Sequence, residues 1–375
     1  MATDTHVERP LTGLRIFLVG ACPPPFGGVA TVIQRLGDLL PGYGATVRIL
    51  ELTRRRGMRV LLRAWLAALL RRGDRIFHCH SIAFSDSSVF GLAAMCLIRL
   101  SGGRIVVSVH HGGLPDELKT WSRIRCTICR VKIKLAQWVS CDNAQIERAI
   151  VRLTSSVTQR SSVIGAALPL PDRFDAPPLP LIEFVTAHSP LVVSSGWNLA
   201  GYYGFEALML AVNLLRGNGF DHLGLYIGYS DEGSCEDDGR RLKAQILACG
   251  LAKHVLLTDT QLTHTQFLEV LRRADVYVRP SMIDGDSVAV REALMLGRPV
   301  VASDTGQRPP GVILYRGDSP EALARRLTEV FSSAGPRDSP RGAEEAARNL
   351  EKTIRIYRQI ASIGSLHVRT HGRAS

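Results

Sequence analysis

The sequence lacks any hydrophobic run long enough to cross a membrane, and it is poor in aromatic residues. Its longest apolar run, Val89 to Ile98, contains Gly91 and falls well short of the roughly 20 residues that a bilayer requires. Phe, Trp and Tyr make up 6% of the chain, and we find neither zinc-finger spacing nor an aromatic RNA-binding motif. The sequence therefore predicts no transmembrane helix and no nucleic-acid partner.

Cysteine is present but forms no recognisable framework. The eight cysteines are scattered and follow no secretory signal, which favours a reducing, cytoplasmic environment. Cys126 and Cys129 form a closely spaced pair, without the second pair that such a zinc site needs. A zinc or redox site is thus the weaker alternative, and we expect no metal and no bound cofactor.

Basic residues are unevenly distributed. The chain is 46% hydrophobic and 21% charged, which is typical of a globular protein, and its 375 residues favour two domains. The net charge is +12, and residues 1–170 carry 23 Lys and Arg against 10 Asp and Glu. Because a one-sided basic field favours an anionic partner and nucleic-acid signatures are missing, we predict that the N-terminal half binds an anionic membrane surface.

Two basic segments underlie this prediction. Residues 53–75 place arginines around short apolar runs, and Arg55, Arg59 and Arg63 fall on one helical face. Such a helix either lies on an anionic membrane or packs on a sheet with a solvated basic face, and the sequence leaves both open. A second segment interleaves basic residues with Ile and Val; its basic residues are Arg123, Arg125, Arg130, Lys132 and Lys134.

Apolar strand candidates alternate with helical runs through the chain. This order predicts an α/β fold of two doubly wound parallel sheets. We expect an N-terminal domain over 1–168, a proline-rich linker over 169–190 and a second domain over 191–342. An amphipathic helix follows over 343–361, and residues 362–375 are predicted to be disordered.

Two loops of the first domain have the composition of ligand-binding loops. Gly27 and Gly28 lie between a strand and a helix, where the backbone can approach a ligand closely, although they do not match the dinucleotide fingerprint. His110 and His111 end a strand and precede a glycine pair, at the sheet edge where doubly wound folds bind ligands. The structural alternative for the glycine pair is a tight turn, and the alternative for the histidines is packing in the core.

The stretch from Arg279 to Gly311 is the most informative part of the sequence. A strand leads into an acidic loop, a short helix that Ser287 opens, and a further strand. A helix N-terminus beside a strand end favours an anion. Asp284 and Glu292 lie eight residues apart, in the loop and the helix, so both are candidates to face one ligand. The alternative is an ordinary turn with two solvated acids.

Within this stretch, Pro280-Ser281, Glu292-Ala293 and the run from Gly297 to Ser303 form a combined pattern. It resembles the signature of retaining GT-B-type glycosyltransferases of family 4 (glycosyl transferases group 1). The resemblance implies two Rossmann-like domains that face a central cleft, with the terminal helix crossing back to the first domain. It also implies a nucleotide-diphosphate sugar as co-substrate, UDP favoured, and transfer with retention, without a covalent adduct or an essential metal.

The resemblance further implies roles for individual residues. Asp284 would reach the transferred sugar and Glu292 the ribose, while His111, more than His110, would contact the sugar and the phosphate side of the reaction. The other implied donor-binding candidates lie in loops and at the helix start: Gly27, Gly28, Gly196, Trp197, Gly285, Asp286, Ser287 and Val288.

The chain departs from the family pattern at two places. Asp284 replaces a glutamate and is one methylene shorter. Trp197 and Tyr203 occupy the loop region where the family places an Arg and a Lys that bind the diphosphate, which makes Arg308 or Arg279 the candidate replacement.

Three functions follow from these observations. The leading hypothesis is a glycosyltransferase, cytoplasmic and peripheral to the inner face of the membrane, that extends a lipid-linked or polysaccharide acceptor. The departures leave open a catalytically silent GT-B-like interaction subunit. A nucleotide-sugar epimerase is less favoured because it does not explain the basic first half.

Overall fold

The chain divides into two units, which we describe separately. The computed structural model describes residues 9–23, 27–51, 66, 70, 74–80, 89–230, 236–258, 262–305, 308–316, 319–333 and 340–371. The first unit comprises the described residues up to Pro23, then Val29–Ala166, and those from Ala347 onward. The second unit comprises Ala167–Ala346 together with Gly27 and Gly28.

The first unit is built on a parallel sheet of six strands. They are β1 (Arg15–Gly20), β2 (Thr46–Glu51), β3 (Arg75–His80), β4 (Arg104–Val109), β5 (Trp138–Cys141) and β6 (Ser161–Val163), in the order β2-β1-β3-β4-β5-β6. The helices between them are α1 (Gly28–Leu39), α2 (Val89–Leu100), α3 (Leu114–Thr120), α4 (Arg123–Leu135) and α5 (Ala144–Leu153). Short 3-10 helices span Leu40–Tyr43 and Ser155–Arg160.

The central strands of this sheet are buried on both faces, as expected of a parallel sheet covered by helices. Every residue of β3 is buried, including Arg75, whose guanidinium donates to the carbonyl of Ser101. Phe17 of β1 stacks on Phe77 of β3 with ring centroids 4.7 Å apart. The strand order reverses between β1 and β3, so a switch point lies at their carboxyl ends.

The second unit is built on another six-stranded parallel sheet. Its strands are β7 (Leu191–Ser195), β8 (Gly224–Gly228), β9 (Val255–Thr258), β10 (Val276–Arg279), β11 (Val300–Ser303) and β12 (Val312–Tyr315), in the order β12-β11-β10-β7-β8-β9. The helices are α6 (Leu179–Ala187), α7 (Phe205–Gly217), α8 (Glu236–Ala248), α9 (His264–Arg273), α10 (Val288–Met295), α11 (Pro320–Ser332) and α12 (Ala343–His371), with a 3-10 turn at Gly201–Tyr203. Most of α12 belongs to the first unit.

Helices cover both faces of the second sheet. Val192 packs with residues of α7 and α11 in one apolar cluster. Val193, the next residue of β7, packs with residues of α9 and α10 in another. Adjacent strand residues point to opposite faces, so the two valines show that the sheet is sandwiched between two layers of helices. This is the doubly wound arrangement that the alternation of strands and helices predicts.

The structure differs from the sequence prediction at the predicted linker and at the C-terminal helix. The proline-rich segment 169–190 contains α6, whose Leu181 and Val185 are buried against the second unit because they share one helical face. The last helix was predicted to end at 361, but α12 continues to His371. Gly364 lies three residues beyond the predicted end, but the helix continues through it.

The first basic segment falls largely outside the described residues. Within residues 53–75, the structure describes only Leu66, Leu70, Asp74 and the buried Arg75. The predicted basic face of Arg55, Arg59 and Arg63 therefore lies outside the described residues. In the described part of the chain, no helix is both long and apolar enough to span a bilayer.

Candidate functional site

The loops after β7 and β10 meet at one edge of the second sheet. These two strands are neighbours, and the strand order reverses between them. Ligands of doubly wound folds bind at such a switch point, outside the carboxyl ends of the strands. Residues 196–204 follow β7 and residues 280–287 follow β10, so most donor-binding candidates of the second unit lie here.

Gly204 allows these two loops to approach each other. Its φ of 71° is in the left-handed region, and a Cβ at this position would lie 2.4 Å from the carbonyl oxygen of Pro280. The amide of Met282 donates to the carbonyl of Tyr202 at 2.8 Å. Only glycine combines this backbone conformation with so close an approach, so Gly204 holds the two halves of the site together.

Asp284 is clamped by two arginines. Arg279, the last residue of β10, donates from Nε to Oδ2 at 2.8 Å and from Nη2 to Oδ1 at 3.2 Å. Arg308, which follows β11, donates from Nη1 to Oδ2 at 2.6 Å, and Ser281 donates its hydroxyl to the same oxygen at 3.1 Å. All three charged side chains are largely buried.

The charges of this cluster do not cancel. Burial alone would raise the pKa of the Asp284 carboxyl, but the guanidinium groups of Arg279 and Arg308 outweigh it and hold that pKa well below its usual range. Asp284 is therefore ionised, and two cations face one anion. A net positive charge remains at the carboxyl edge of the sheet, where it favours an anionic ligand.

Both arginines are also bonded to the sheet itself. Arg279 donates from Nη1 to the carbonyl of Ser195 at 2.8 Å, at the end of β7. Arg308 donates from Nε to the carbonyl of Ser303 at 3.2 Å, at the end of β11. Because backbone groups of two strands fix them, the guanidinium groups are held in place before any ligand arrives.

Tyr203 and Trp197, which stand where the resemblance places cations, pack as aromatic side chains. The Arg279 guanidinium carbon lies 5.2 Å from the centroid of the Tyr203 ring, within cation–π range. Trp197 packs on the apolar cluster of the second unit, and a Cβ on Gly27 would lie 2.5 Å from its ring. The predicted ligand-binding roles of Gly27, Gly28, Gly196 and Trp197 stay predictions.

The start of α10 is fixed by two polar side chains. Ser287 caps the helix by accepting from the amide of Val290 at 3.5 Å. Asp286 accepts from Nε of Arg291 at 2.8 Å, and Arg291 also donates to Glu345 at 2.6 Å. The predicted helix start is thus confirmed, and the first residue of α10 is Val288. The predicted contacts of Gly285, Asp286, Ser287 and Val288 with a donor stay predictions.

Glu292 has a partner that the sequence did not reveal. The Nε2 atom of His264, the first residue of α9, lies 2.5 Å from Oε1 of Glu292. Both side chains are less than one tenth exposed. The environment of Glu292 thus differs from that of Asp284, because its partner is an imidazole and not a pair of guanidinium groups.

In the first unit, His110 and His111 occupy different environments. His110 Nδ1 lies 2.8 Å from Oδ1 of Asp142, and its Nε2 lies 3.0 Å from Nδ1 of His80. His111 Nε2 lies 2.5 Å from Oε1 of Glu117. The side chain of His110 is 9% exposed and that of His111 is 36% exposed. Of the two, His111 is therefore the more accessible to solvent.

Beneath these residues lies a buried histidine that belongs to the core. His78 Nδ1 lies 2.6 Å from the hydroxyl of Tyr357, and its Nε2 lies 2.7 Å from the hydroxyl of Ser108. Burial, with a smaller contribution from the charge of His110, lowers the pKa of His78 to about 3. Both ring nitrogens are used and the ring is neutral, so we assign it a structural role.

The described cysteines are free thiols, and no cluster of described side chains has the makings of a metal centre. Cys126 and Cys129 lie one turn apart on α4, and burial raises the pKa of Cys129 to about 12. A thiol of this kind is protonated at neutral pH and is a poor nucleophile.

Sequence reasoning missed His264, Asp142 and Glu117. Each bonds to a candidate residue from another part of the chain, at sequence separations of 28, 32 and 6 residues. The pairing of Glu117 with His111 was the easiest of the three to predict from sequence, because α3 directly follows the His110-His111 loop. No local sequence pattern indicates the pairing of His264 with Glu292 or of Asp142 with His110.

A family model matches part of the chain. Residues 178–333 match the family model described as Glycosyl transferases group 1. This segment holds most of the second unit, including the loops after β7 and β10, the pair His264–Glu292 and Arg308, but less than half of the chain. A search of curated proteins gave no match.

Solved structures resemble the chain over nearly its whole length. HepE from Anabaena, in complex with UDP-glucose, has a TM-score of 0.64 at 16% identity, covering 94% of this chain and 99% of HepE. Sucrose-phosphate synthase from Thermosynechococcus elongatus has a TM-score of 0.62 at 16% identity, covering 96% and 100%. An alpha,alpha-trehalose-phosphate synthase (UDP-forming) from Burkholderia vietnamiensis has a TM-score of 0.60 at 13% identity, covering 94% and 100%.

At such identities the likeness establishes the fold, which is GT-B with two Rossmann-like domains. The predicted fold class is thereby confirmed. Together with the family match in the second unit, it supports a GT-B glycosyltransferase.

Proposed function

We propose that this chain transfers a glycosyl group from a nucleoside-diphosphate sugar, with UDP as the favoured nucleotide, to a lipid-linked or polysaccharide acceptor. The observation that carries the proposal is the net positive cluster of Arg279, Asp284 and Arg308 at the switch point of the second sheet. The family match over the same residues and the UDP-containing complexes of HepE support it.

In this proposal, Arg279 and Arg308 bind the diphosphate. The diphosphate is the leaving group, so negative charge grows on it as the bond to the sugar breaks. Preorganised cations aimed at that charge stabilise the transition state more than the ground state. The arginines would thus replace the cations that the family pattern places in the loop now occupied by Trp197 and Tyr203.

Asp284 then acts chiefly as the counter-ion that keeps two like charges together. Its Oδ2 accepts from Arg279, Arg308 and Ser281, so contact with the transferred sugar would use its remaining lone pairs. Glu292 binds the ribose, and the amides at the start of α10, from Gly285 to Val288, meet the sugar and the phosphates. In the first unit, the accessible His111 contacts the transferred sugar, while His110 supports the loop.

Retention at the anomeric carbon, a mechanism without an essential metal and membership of family 4 belong to the same proposal. They rest on the pattern of residues 280–303 and on the family match. Stereochemistry is tested by NMR of the product formed from an α-linked UDP-sugar. An inverted product contradicts retention, and loss of transfer after exhaustive chelation contradicts the metal-free mechanism.

The proposed membrane acceptor is supported by two helices of the first unit. Val89, Ala93, Leu97 and Leu100 recur along one side of α2, and all are exposed. On α4, which contacts α2, the exposed side chains include Arg123, Arg130 and Lys134 beside Ile124 and Val131. Lys132 of the same basic segment is buried. An apolar stripe next to a basic one suits the anionic inner face of a cell membrane, with leucines in the interface and cations at the headgroups.

The donor site is tested first by ligand-induced thermal stabilisation. Wild-type protein is titrated with UDP-, GDP- and ADP-sugars, because a ligand that binds the native state alone raises Tm. We expect a UDP-sugar to raise it, and Arg308→Ala to weaken the binding about tenfold or more, as for loss of a charged hydrogen bond. Arg326→Ala, on the exposed side of α11, is the matched control. Failure of every nucleotide sugar to bind contradicts the proposal.

The acceptor is tested with liposomes. Co-sedimentation should be strong with vesicles rich in phosphatidylglycerol and weak with pure phosphatidylcholine. We expect the double variant Leu97→Ser and Leu100→Ser to lose binding. The control is Leu247→Ser on α8 of the second unit, which is 69% exposed and so comparable with Leu100 at 84%. Equal binding by all variants contradicts the membrane surface on α2 and α4.

The aromatic residues at the cation positions also favour a second candidate, a catalytically silent GT-B-like interaction subunit. It predicts that a variant unable to bind the donor, such as Glu292→Ala, supports the cellular phenotype as well as wild type. Glycosyl transfer predicts loss of that phenotype together with loss of turnover.

A further inference from the structure

Glu292 and His264 form a buried pair between two helices. His264 begins α9 and Glu292 lies in the middle of α10, and these helices contact each other. Among the described residues, His264 is the one side chain that bonds to the Glu292 carboxylate, at 2.5 Å. A carboxylate offers about four lone-pair positions, so the pair leaves acceptor capacity for further donors.

The direction of this hydrogen bond follows from the chemistry of the two groups. An ionised carboxylate only accepts, so Nε2 of His264 carries the hydrogen. His264 follows the N-cap Thr263, which forms a capping box with Gln266. The imidazole is thus held in the first turn of a capped helix. This hydrogen bond orients the carboxylate and leaves its other lone-pair positions open.

The two acids of the site thus have opposite environments. Asp284 lies between two guanidinium groups, and its charge is more than compensated. Glu292 bonds to one imidazole ring, and its other lone-pair positions remain available to hydroxyl donors. Of the two acids, Glu292 is therefore the one suited to accept hydrogen bonds from a vicinal diol.

We propose that His264 is a positioning residue that fixes the Glu292 carboxylate for the 2′- and 3′-hydroxyls of a ribose, and so makes the site selective for ribonucleoside diphosphates. The inference rests on the proposed nucleotide-sugar function. Without His264 the carboxylate would rotate about its side-chain torsions, and the cost of ordering it would fall on ligand binding.

A purely structural pair makes a different prediction. If His264 only satisfies a buried carboxylate, its loss destabilises the unit and weakens every nucleotide alike. If it positions Glu292 for the diol, its loss weakens UDP more than 2′-deoxy-UDP. The ratio of the two dissociation constants separates these cases even when the variant is less stable.

The experiment is calorimetric titration of the full chain with UDP and with 2′-deoxy-UDP. We expect wild type to prefer UDP by about tenfold or more, the equivalent of one hydrogen bond to a charged group. His264→Ala should reduce this preference severalfold, and His264→Gln, whose amide N–H can replace Nε2–H, should restore it. Glu292→Ala should abolish the preference, and adding His264→Ala to it should change the ratio no further.

His254→Ala provides the matched control, because His254 also lies in the second unit and bonds to a backbone carbonyl at the opposite edge of the sheet. Its UDP preference should equal that of wild type. An unchanged preference in both His264→Ala and His264→Gln overturns the inference while the donor site stands. Absence of UDP binding in wild type overturns the proposed function and this inference together.

Discussion

The Nη1 atom of Arg308 lies 2.6 Å from Oδ2 of Asp284, although 24 residues separate them in the sequence. Asp284 is in the loop after β10 and Arg308 follows β11. Because these strands are parallel neighbours, their carboxyl ends lie at the same edge of the sheet. With Arg279 on the same carboxylate, this contact turns an acidic loop into a positively charged site.

Asp284→Asn should destabilise the protein strongly. The change leaves two buried guanidinium groups without an anion, which costs about 3–5 kcal/mol of unfolding free energy. Urea denaturation without nucleotide measures it, with the exposed Glu329→Gln as a control expected within about 0.5 kcal/mol. A residue that only contacts the transferred sugar would instead lose turnover at unchanged stability.

The carboxylate of Asp284 should also affect how the unfolding free energy falls at low pH. Because folding depresses the pKa of Asp284, its contribution is complete above the ordinary value of 3.8 and is lost as pH falls below it. Unfolding free energy measured from pH 5 to pH 2 should therefore fall less steeply in Asp284→Asn than in wild type. Parallel curves would contradict the pairing.

His78 should also lower the unfolding free energy as pH falls, but it should do so at higher pH than Asp284. Folding lowers its pKa from 6.5 to about 3, so the unfolded chain binds a proton that the folded chain excludes. Its contribution is complete above pH 6.5, and stability is lost as pH falls towards 3, by up to about 1.4 kcal/mol per pH unit. His78→Gln should flatten this slope, whereas the exposed His222→Gln should not.

Gly204→Ala should separate the loops of the site. The position combines a left-handed φ with a 2.4 Å approach to Pro280, so we expect a loss above about 2 kcal/mol. Gly219 has a φ of 98° but open space around it, and Gly219→Ala should cost about 1 kcal/mol. The difference between the denaturation midpoints of the two variants measures the cost of the steric clash at Gly204. Equal losses of stability in both variants would contradict a close contact between the loops.

His110→Ala should lower stability, whereas His111→Ala should lower activity. His110 is a buried partner of Asp142, so its loss removes a hydrogen bond to a buried carboxylate and lowers stability by about 1–3 kcal/mol. His111 is accessible, so its loss should reduce kcat with little change in Tm. A donor-dependent transfer assay and a thermal melt on the same samples distinguish them, and the reverse pattern would assign the ligand contact to His110.

The fold was accessible from the sequence because its signals are local. Short apolar strands such as Leu191–Ser195 alternate with helices, and Ser287 marks the start of α10 by its capping chemistry. The helix inside 169–190 was missed because six prolines dominate that composition, while Leu181 and Val185 lie only about one helical turn apart. The second basic segment looked uniform, yet Lys132 is buried among exposed neighbours.

By itself, the sequence determined which residues stand in the stretch from Arg279 to Gly311 and what chemistry each one offers. Only the tertiary structure decided how the two acids of that stretch differ. Parallel neighbouring strands bring Arg279 and Arg308 onto Asp284, and the packing of α9 on α10 brings His264 onto Glu292. The charge environment of a carboxylate depends on neighbours that are distant in sequence, so two acids eight residues apart become a counter-ion and an oriented acceptor.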